Sequence, residues 1–312
     1  MKPINLVPIK PNLNFIGRHK LFLMFSAVLV IFSLGLFMTK SLNYGIDFQG
    51  GILIEIRTPN TADISQMRND LSDLGLGEVS LQEFGQPTDF LIRVQKQEGG
   101  EGAQQVAVEK VKAALPSNIE YRRTEFVGPK VSEELFFDGV LAVIFAIFGI
   151  LAYVWFRFEW QFGICAIIAL THDVMTTIGI FSLTGLEFNL STVAAILTIA
   201  GYSINDTVVV FDRVRENLRK YKTKPIKDLL NESINETLSR TVMTSLTTLL
   251  ALGSLYILGG EVIRGFSFGM IWGVLIGTYS SICVAVPLLI YLSVSRGTES
   301  SSGPEPVGET AD

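Results

Sequence analysis

The chain has 312 residues, of which 48% are apolar and 18% are charged, and its mean hydropathy is +0.41. An average soluble protein carries about 25% charged residues, so this composition argues against a purely soluble enzyme. The 25 basic and 30 acidic residues give a net charge of −5, which argues against a nucleic-acid-binding protein.

Six apolar runs are long enough to cross a bilayer, which needs about 20 apolar residues in a helix. In chain order they are Leu21–Met38, Leu135–Phe156, Phe162–Leu183, Phe188–Phe211, Thr241–Leu258 and Phe266–Leu292. A basic tail, residues 1–20, precedes the first run, but Met38 to Ser41 does not form the small-x-small site of a cleaved signal peptide. We therefore predict a membrane protein with six transmembrane helices, the first at 21–38 and the other five within 135–296.

The lysines and arginines indicate which side of the membrane each loop faces. Residues 1–20 contain basic residues and no acid, and residues 212–240 contain eight lysines and arginines, whereas the two short loops on the other side contain one arginine between them. By the positive-inside rule, we predict that both termini are cytoplasmic and that residues 39–134 form a periplasmic loop.

Residues 39–134 have the pattern of a small α+β domain. Alternating apolar residues predict strands at Gly51–Arg57, Val79–Phe84, Phe90–Val94 and Ile119–Phe126, with a turn at Gln86–Asp89, and helical spacing predicts helices at Ile64–Leu74 and Gln105–Leu115. This βαββαβ order predicts a ferredoxin-like sheet with two helices on one face. The segment has no His, no Cys and no paired catalytic residues, so we interpret it as a binding or coupling module.

Asp206 is the strongest candidate for a functional residue. Inserting an acidic side chain at the centre of a membrane helix costs about 2.5–3.5 kcal/mol of free energy, so its presence needs a reason. A small and polar stripe, suited to helix packing or to lining a wet crevice, is predicted beside it. Its residues are Ser191, Ala195, Thr198, Tyr202 and Asn205. A carboxylate that is alternately shielded and exposed can bind and release a proton, which makes Asp206 a candidate for proton coupling.

Two other charged positions are candidates. Arg240 opens the fifth run, and since an arginine stays charged it could form a switchable pair with Asp206 or a static salt bridge. His172 and Asp173 lie near the middle of the third run, where they could clamp helices together by hydrogen bonds or handle protons.

Several features indicate structure. Glycines at every fourth position of the last run, Gly265, Gly269, Gly273 and Gly277, favour close approach of another helix. Residues 212–240 should include an amphipathic helix from Pro225 that lies along the inner membrane surface. The acidic tail at 297–312 predicts disorder. The sequence has no Walker A or HExxH motif, so we expect no ATP hydrolysis by a P-loop and no metal or other cofactor.

Three motifs resemble the SecF family of the bacterial SecD–SecF complex, within the resistance-nodulation-division superfamily. They are Asn-Tyr-Gly-Ile-Asp-Phe-Gln-Gly-Gly at 43–51, Glu-Phe-Val-Gly-Pro-Lys-Val-Ser-Glu-Glu-Leu at 125–135 and Gly-Tyr-Ser-Ile-Asn-Asp-Thr-Val-Val-Val-Phe-Asp-Arg at 201–213. The third motif, with Leu-Ser-Arg-Thr at 238–241, distinguishes this family from SecD. The resemblance covers residues from about 14 to 296.

The resemblance implies a non-enzymatic subunit that pairs with SecD in the inner membrane and uses the proton-motive force to complete protein translocation after the SecA ATPase has driven insertion. Asp206 and Arg240 match the proton pathway of the family, with protons as the coupling ion. Implied partners are the SecY–SecE–SecG channel, YajC and YidC, unfolded preprotein and membrane lipids. The alternatives are half of a small-molecule exporter, a scaffold that handles no protons and, more distantly, an intramembrane hydrolase.

Overall fold

A computed structural model of the chain describes residues 11–61, 63–84, 86–260, 263–292 and 294. The first half of the basic tail and the predicted disordered tail at 297–312 lie outside the described residues. The helices are α1 (His19–Lys40), α2 (Ile46–Gln49), α3 (Ile64–Ser72), α4 (Glu101–Ala114), α5 (Pro129–Arg157), α6 (Trp160–Thr184), α7 (Leu190–Lys220), α8 (Ile226–Leu258), α9 (Arg264–Ser280) and α10 (Val286–Leu288). The strands are β1 (Asn43–Tyr44), β2 (Gly51–Arg57), β3 (Val79–Phe84), β4 (Gln86–Val94), β5 (Glu120–Val127) and β6 (Glu187–Phe188).

The described chain contains six helices that are long and apolar enough to span a membrane: α1, α5, α6, α7, α8, and α9 continued through α10. Helices α6, α7 and α9 form the centre of the bundle, where more than half of the residues in their apolar windows are buried. Helices α1, α5 and α8 lie outside them and leave most of their apolar side chains on the surface. Such a surface is stable in lipid, so the predicted six-helix membrane fold is confirmed.

Helix α8 differs from the prediction of a surface helix followed by a shorter span. It runs without a break over 33 residues, about 50 Å, and therefore extends well past a hydrocarbon core of about 30 Å. In its first half, Leu229, Leu230 and Ile234 are buried in one cluster with Val214 and Leu218 of α7. Because these apolar residues pack on α7, the segment forms a helical hairpin with α7 and does not lie flat on lipid.

The last membrane helix is interrupted near its end. Helix α9 stops at Ser280, one π-helical turn covers Ser281–Ala285, and α10 follows with Pro287 in its first turn. A π turn contains one extra residue and rotates the side chains around it, and it is often found at functional sites. Here it lies beside Asp206 and Asp173, as the site geometry shows.

Residues 43–127, which we call the α+β domain, form a four-stranded antiparallel sheet in the order β3-β4-β2-β5. One sheet face packs against α3 and α4 through a cluster that includes Ile52, Ile54, Phe90 and Ile92. The predicted βαββαβ topology is therefore present. Asp63 caps α3, accepting hydrogen bonds from the Ser65 and Gln66 backbone.

Strand β4 begins at Gln86, so the predicted turn at Gln86–Asp89 is wrong. The strand continues because Asp89 lies opposite Arg57 of β2, and the two side chains form a bidentate ion pair at 2.6 and 2.7 Å. The hydrogen bond from Arg57 holds the pKa of the buried Asp89 carboxyl below its ordinary value. A register shift between Glu83 and Phe84 accommodates the early start.

Candidate functional site

Asp206 lies on α7 in the core of the helix bundle, with 7% of its surface exposed. Its Oδ1 atom accepts a hydrogen bond of 3.0 Å from the Thr241 hydroxyl of α8. The other oxygen, Oδ2, has no partner in hydrogen-bond geometry among the described residues, although the Ser281 hydroxyl lies beside the carboxylate. A buried carboxylate with one open oxygen can accept a proton or a water molecule.

Arg240 is the residue before Thr241, and its side chain is exposed on the surface of the bundle. It forms no ion pair within 4.0 Å with any residue that the structure describes. The structure therefore places the two residues in one neighbourhood, separated by the Thr241 contact, and does not join them in a salt bridge.

Three of the five residues of the predicted polar stripe on α7, Ser191, Thr198 and Asn205, are exposed together, and the other two are not. Ala195 is buried and Tyr202 is half-buried, and both pack towards α9. Within the predicted apolar runs and at Arg240, the exposed small and polar residues of α7 are Ser191, Ala194, Thr198, Gly201 and Asn205, and those of α8 are Arg240, Thr244, Thr247, Ala251 and Ser254. We call these two rows the polar face; Asn205 lies on it, and Asp206 lies directly behind it.

His172 and Asp173 form a second polar cluster deep in the bundle. His172 Nδ1 lies 2.8 Å from Asp173 Oδ1, and Asp173 Oδ2 accepts hydrogen bonds from Ser203 of α7 and Ser280 of α9 at 2.5 and 2.7 Å. Asp173 is fully buried. His172 Nε2 is buried without a hydrogen-bond partner among the described residues. The cluster joins α6, α7 and α9, which is the geometry of a hydrogen-bond clamp, while the open His172 nitrogen keeps a proton-binding position.

The π turn brings the two clusters close together. Ser280, the last residue of α9, bonds to Asp173, and its neighbour Ser281 bonds through its hydroxyl to Thr207 at 2.8 Å. Thr207 follows Asp206 in the chain. Ser280 thus contacts one carboxylate, while its neighbour Ser281 lies beside the other.

Close contact between α9 and α7 depends on glycine. A Cβ atom at Gly273 would lie 2.2 Å from the Ile199 side chain, one at Gly277 would lie 3.2 Å from Ser203, and one at Gly269 would lie 3.2 Å from Phe181 of α6. At Gly265 the nearest atom is 4.0 Å away. Three of the four predicted glycines therefore lie at tight contacts, while Gly265 has free space.

The sequence reasoning missed the hydroxyl residues that complete the site, namely Thr241, Ser203, Thr207, Ser280 and Ser281. The available signal was the presence of Ser and Thr inside apolar runs next to the acidic residues. Their contacts depend on the helix rotation and on the π turn, and neither follows from the spacing of polar residues.

Comparison with known proteins shows the family of the chain. Residues 107–295 match the family described as "Protein export membrane protein SecD/SecF, C-terminal", and residues 35–58 match the "SecD/SecF GG Motif". Protein translocase subunit SecF of Rickettsia bellii (strain OSU 85-389) is 47% identical over 291 residues, which cover 92% of this chain and 95% of that protein. The chain belongs to the SecF family.

Other SecF relatives and SecDF structures agree. The subunit of Rhodobacter capsulatus is 46% identical over 311 residues, covering 95% of this chain and 93% of the relative. The crystal structure of SecDF from Thermus thermophilus, described as a translocon-associated membrane protein, is 38% identical with a TM-score of 0.83. SecDF in a super-membrane-facing form has a TM-score of 0.67 at the same identity. The two matches include 92% and 93% of this chain. In each case the matched part is 39% of the longer SecDF chain.

Proposed function

We propose that this chain pairs with SecD in the inner membrane and couples the proton-motive force to the completion of protein translocation after SecA-driven insertion. It acts as a transport component without a cofactor, and protons are the coupling ion. The observation that carries the proposal is that an incompletely bonded buried carboxylate, Asp206, lies directly behind an exposed polar face at membrane depth.

The polar face supports a partner in the membrane. An exposed arginine or asparagine costs free energy in hydrocarbon, so such residues normally face another helix or a water-filled cavity. Arg240 and Asn205 lie on this face, and the small residues around them permit close approach of partner helices. SecD fits this role, because the SecDF chains that match this protein contain a further 61% of sequence beyond the shared part.

The chemistry assigned to Asp206 is reversible protonation. The Thr241 hydroxyl donates to the carboxylate, and a hydrogen bond of this kind favours the ionised form. Burial opposes it, so small movements of α8 or of a partner helix can change whether the proton stays. His172 and Asp173 are further candidates on this pathway, because Ser280 bonds to Asp173 and the next residue, Ser281, lies beside Asp206.

The remaining parts of the proposal concern sidedness and partners. The excess of basic residues at the α7–α8 hairpin supports cytoplasmic termini and a periplasmic α+β domain. In that position the domain can contact SecD, unfolded preprotein or the SecY–SecE–SecG channel, with YajC and YidC as further partners. The description of SecDF as translocon-associated supports the channel.

Complementation in a strain depleted of its own SecF tests the proposal. Asp206→Asn and Arg240→Met should abolish gradient-dependent export while the subunit levels stay normal. Matched controls are Asp212→Asn, whose carboxylate is exposed and paired with Arg157, and Arg219→Met on the exposed end of α7; both should retain export. Normal export by the Asp206 and Arg240 variants would contradict proton coupling and support the scaffold alternative.

A further inference from the structure

We propose that Asp47 and Arg93 are positioning residues that fasten the α+β domain to the first turn of α7, so that the domain and the Asp206 helix move as one body. This inference rests on the proposed function and names the residues that would transmit movement. It is carried by contacts between three separate parts of the chain at the domain-side end of α7.

The first contact is a backbone junction. Strand β1, just after α1, pairs in parallel with β6, just before α7, with Asn43 opposite Glu187. The backbone amide of Gly45 donates to the Phe188 carbonyl at 2.9 Å, and the side-chain amide of Asn43 donates to the Gly185 carbonyl at 2.8 Å. The segment that enters the α+β domain therefore holds the loop that enters α7.

The second contact is made by Asp47 at the α7 N-terminus. Its Oδ2 atom accepts a 2.9 Å hydrogen bond from the backbone amide of Leu190, the first residue of α7. The first turn of α7 has no acidic residue of its own. A helix N-terminus attracts negative charge because its first amides lack partners in the helix. Asn189 caps the Thr192 amide, and Asp47 adds from the domain a negative charge and a partner for the Leu190 amide.

The third contact is made by Arg93, which lies on the central strand β4. Its Nη1 atom donates to Asn43 Oδ1 at 2.6 Å, and its Nη2 atom lies 2.9 Å from Glu187 Oε2. The ion pair is partly shielded, with 18% and 22% of the two side chains exposed. One guanidinium thus ties the sheet to both strands of the junction.

These contacts leave little room for independent motion. At Gly45 the two segments also lie close together, because a Cβ atom there would lie 3.1 Å from the Asn189 Cβ atom. Asp206 lies 16 residues after Leu190 on the same unbroken helix, about 24 Å away. A shift of α7 driven at Asp206 would therefore move the junction, and the junction would carry the domain with it.

Charge exchange in the complete complex with SecD, reconstituted in vesicles that hold a proton gradient, tests the Arg93 link. Arg93→Glu and Glu187→Arg should each lower gradient-dependent export about tenfold, which corresponds to about 1.4 kcal/mol, and the double exchange should recover most of it. Proton uptake should stay normal in all three. Arg123→Glu, which breaks a pair within β5, is the matched control and should retain export. Full export by the single variants, or no recovery in the double variant, would overturn the proposal.

Asp206→Asn, measured in parallel, separates the two proposals. If it loses export while Arg93→Glu retains it, this inference fails and the proposed function stands. If Asp206→Asn retains gradient-dependent export, the proposed function is wrong, and the inference that rests on it fails as well.

A reversible cross-link tests the same proposal in the opposite direction, because it should restore export where the charge exchanges lower it. Asn43→Cys with Glu187→Cys removes both partners of Arg93, so the reduced protein should be impaired, and the disulfide should restore export by replacing the link. Cys165 and Cys283 are buried and should not interfere. If oxidation instead lowered export and reduction restored it, the junction would have to open during the cycle, and the proposal of one body would be wrong.

Discussion

Replacing Gly273 with alanine tests whether the close approach of α9 to α7 supports the site. The new Cβ would lie 2.2, 2.4 and 2.7 Å from three atoms of the Ile199 side chain. Carbon atoms in contact prefer about 3.5–4.0 Å, so the helices must separate by about 1 Å or Ile199 must leave its rotamer. Ile199 is 1% exposed, so its side chain is enclosed by the bundle. Overpacking of this kind costs about 1–3 kcal/mol.

Alanine also favours a helix over glycine by up to about 1 kcal/mol, and this gain must be removed from the comparison. Gly253→Ala in α8 provides the control, because nothing lies within 4 Å of its added Cβ. Reversible unfolding in mixed micelles should show Gly273→Ala to be less stable than Gly253→Ala by about 1–3 kcal/mol. In an Ile199→Ala background this difference should vanish, since all three clashing atoms are gone. Equal stability of the two alanine variants, or no relief from Ile199→Ala, would refute the packing argument.

Three further predictions follow from individual contacts. Thr241→Val removes the hydrogen bond to Asp206 and should lower gradient-dependent export in the complementation assay, whereas Thr184→Val at the end of α6, whose hydroxyl bonds to carbonyls of its own helix, should not. The pKa of Asp89 is lower in the folded domain than in the unfolded chain. The ionised carboxylate therefore stabilises the folded domain above about pH 4, and this stabilisation is lost as the pH falls through the pKa of Asp89 in the folded domain. Asp89→Asn should thus destabilise the domain by about 1–3 kcal/mol at pH 7, with the difference from the unmutated protein disappearing in strong acid; a constant difference in denaturant titrations would contradict this. Asn235 bonds to both the amide and the carbonyl of Leu13 at 2.9 Å, so Asn235→Ala should speed hydrogen exchange at residues 13–16, and unchanged exchange would show that Asn231 holds the segment alone.

The membrane helices and the sheet topology could be predicted because each has a strong period or a long apolar run. The boundaries were less predictable where tertiary contacts override local signals. Pro87 indicated a turn, yet the Arg57–Asp89 pair continues β4 across it. The fourth apolar run ends at Phe211, yet α7 continues to Lys220, and packing of Leu229 and Leu230 on it makes the two helices a hairpin.

The charged residues of the candidate site could be predicted from the sequence, but the contacts that they make could not. Asp206 stands out in any reading because ionisable groups at membrane depth are rare. Which residues touch it depends on helix rotation, and an error of one position placed Ala195 and Tyr202 on the polar stripe in place of Ala194 and Gly201. The π turn carries no sequence signal that we recognise, and it decides where Ser280 and Ser281 point.

The length of α7 makes it a lever. At 31 residues it measures about 46 Å, against a hydrocarbon thickness of about 30 Å, so about 15 Å of it extends beyond the lipid on the hairpin side. A tilt of about 10° around Asp206, in which the attached domain turns with the helix, would sweep the far end of α7 at Lys220 through about 4 Å. A spin label at the exposed Thr223, in the loop that follows, would therefore report in amplified form on displacements that are small near the carboxylate.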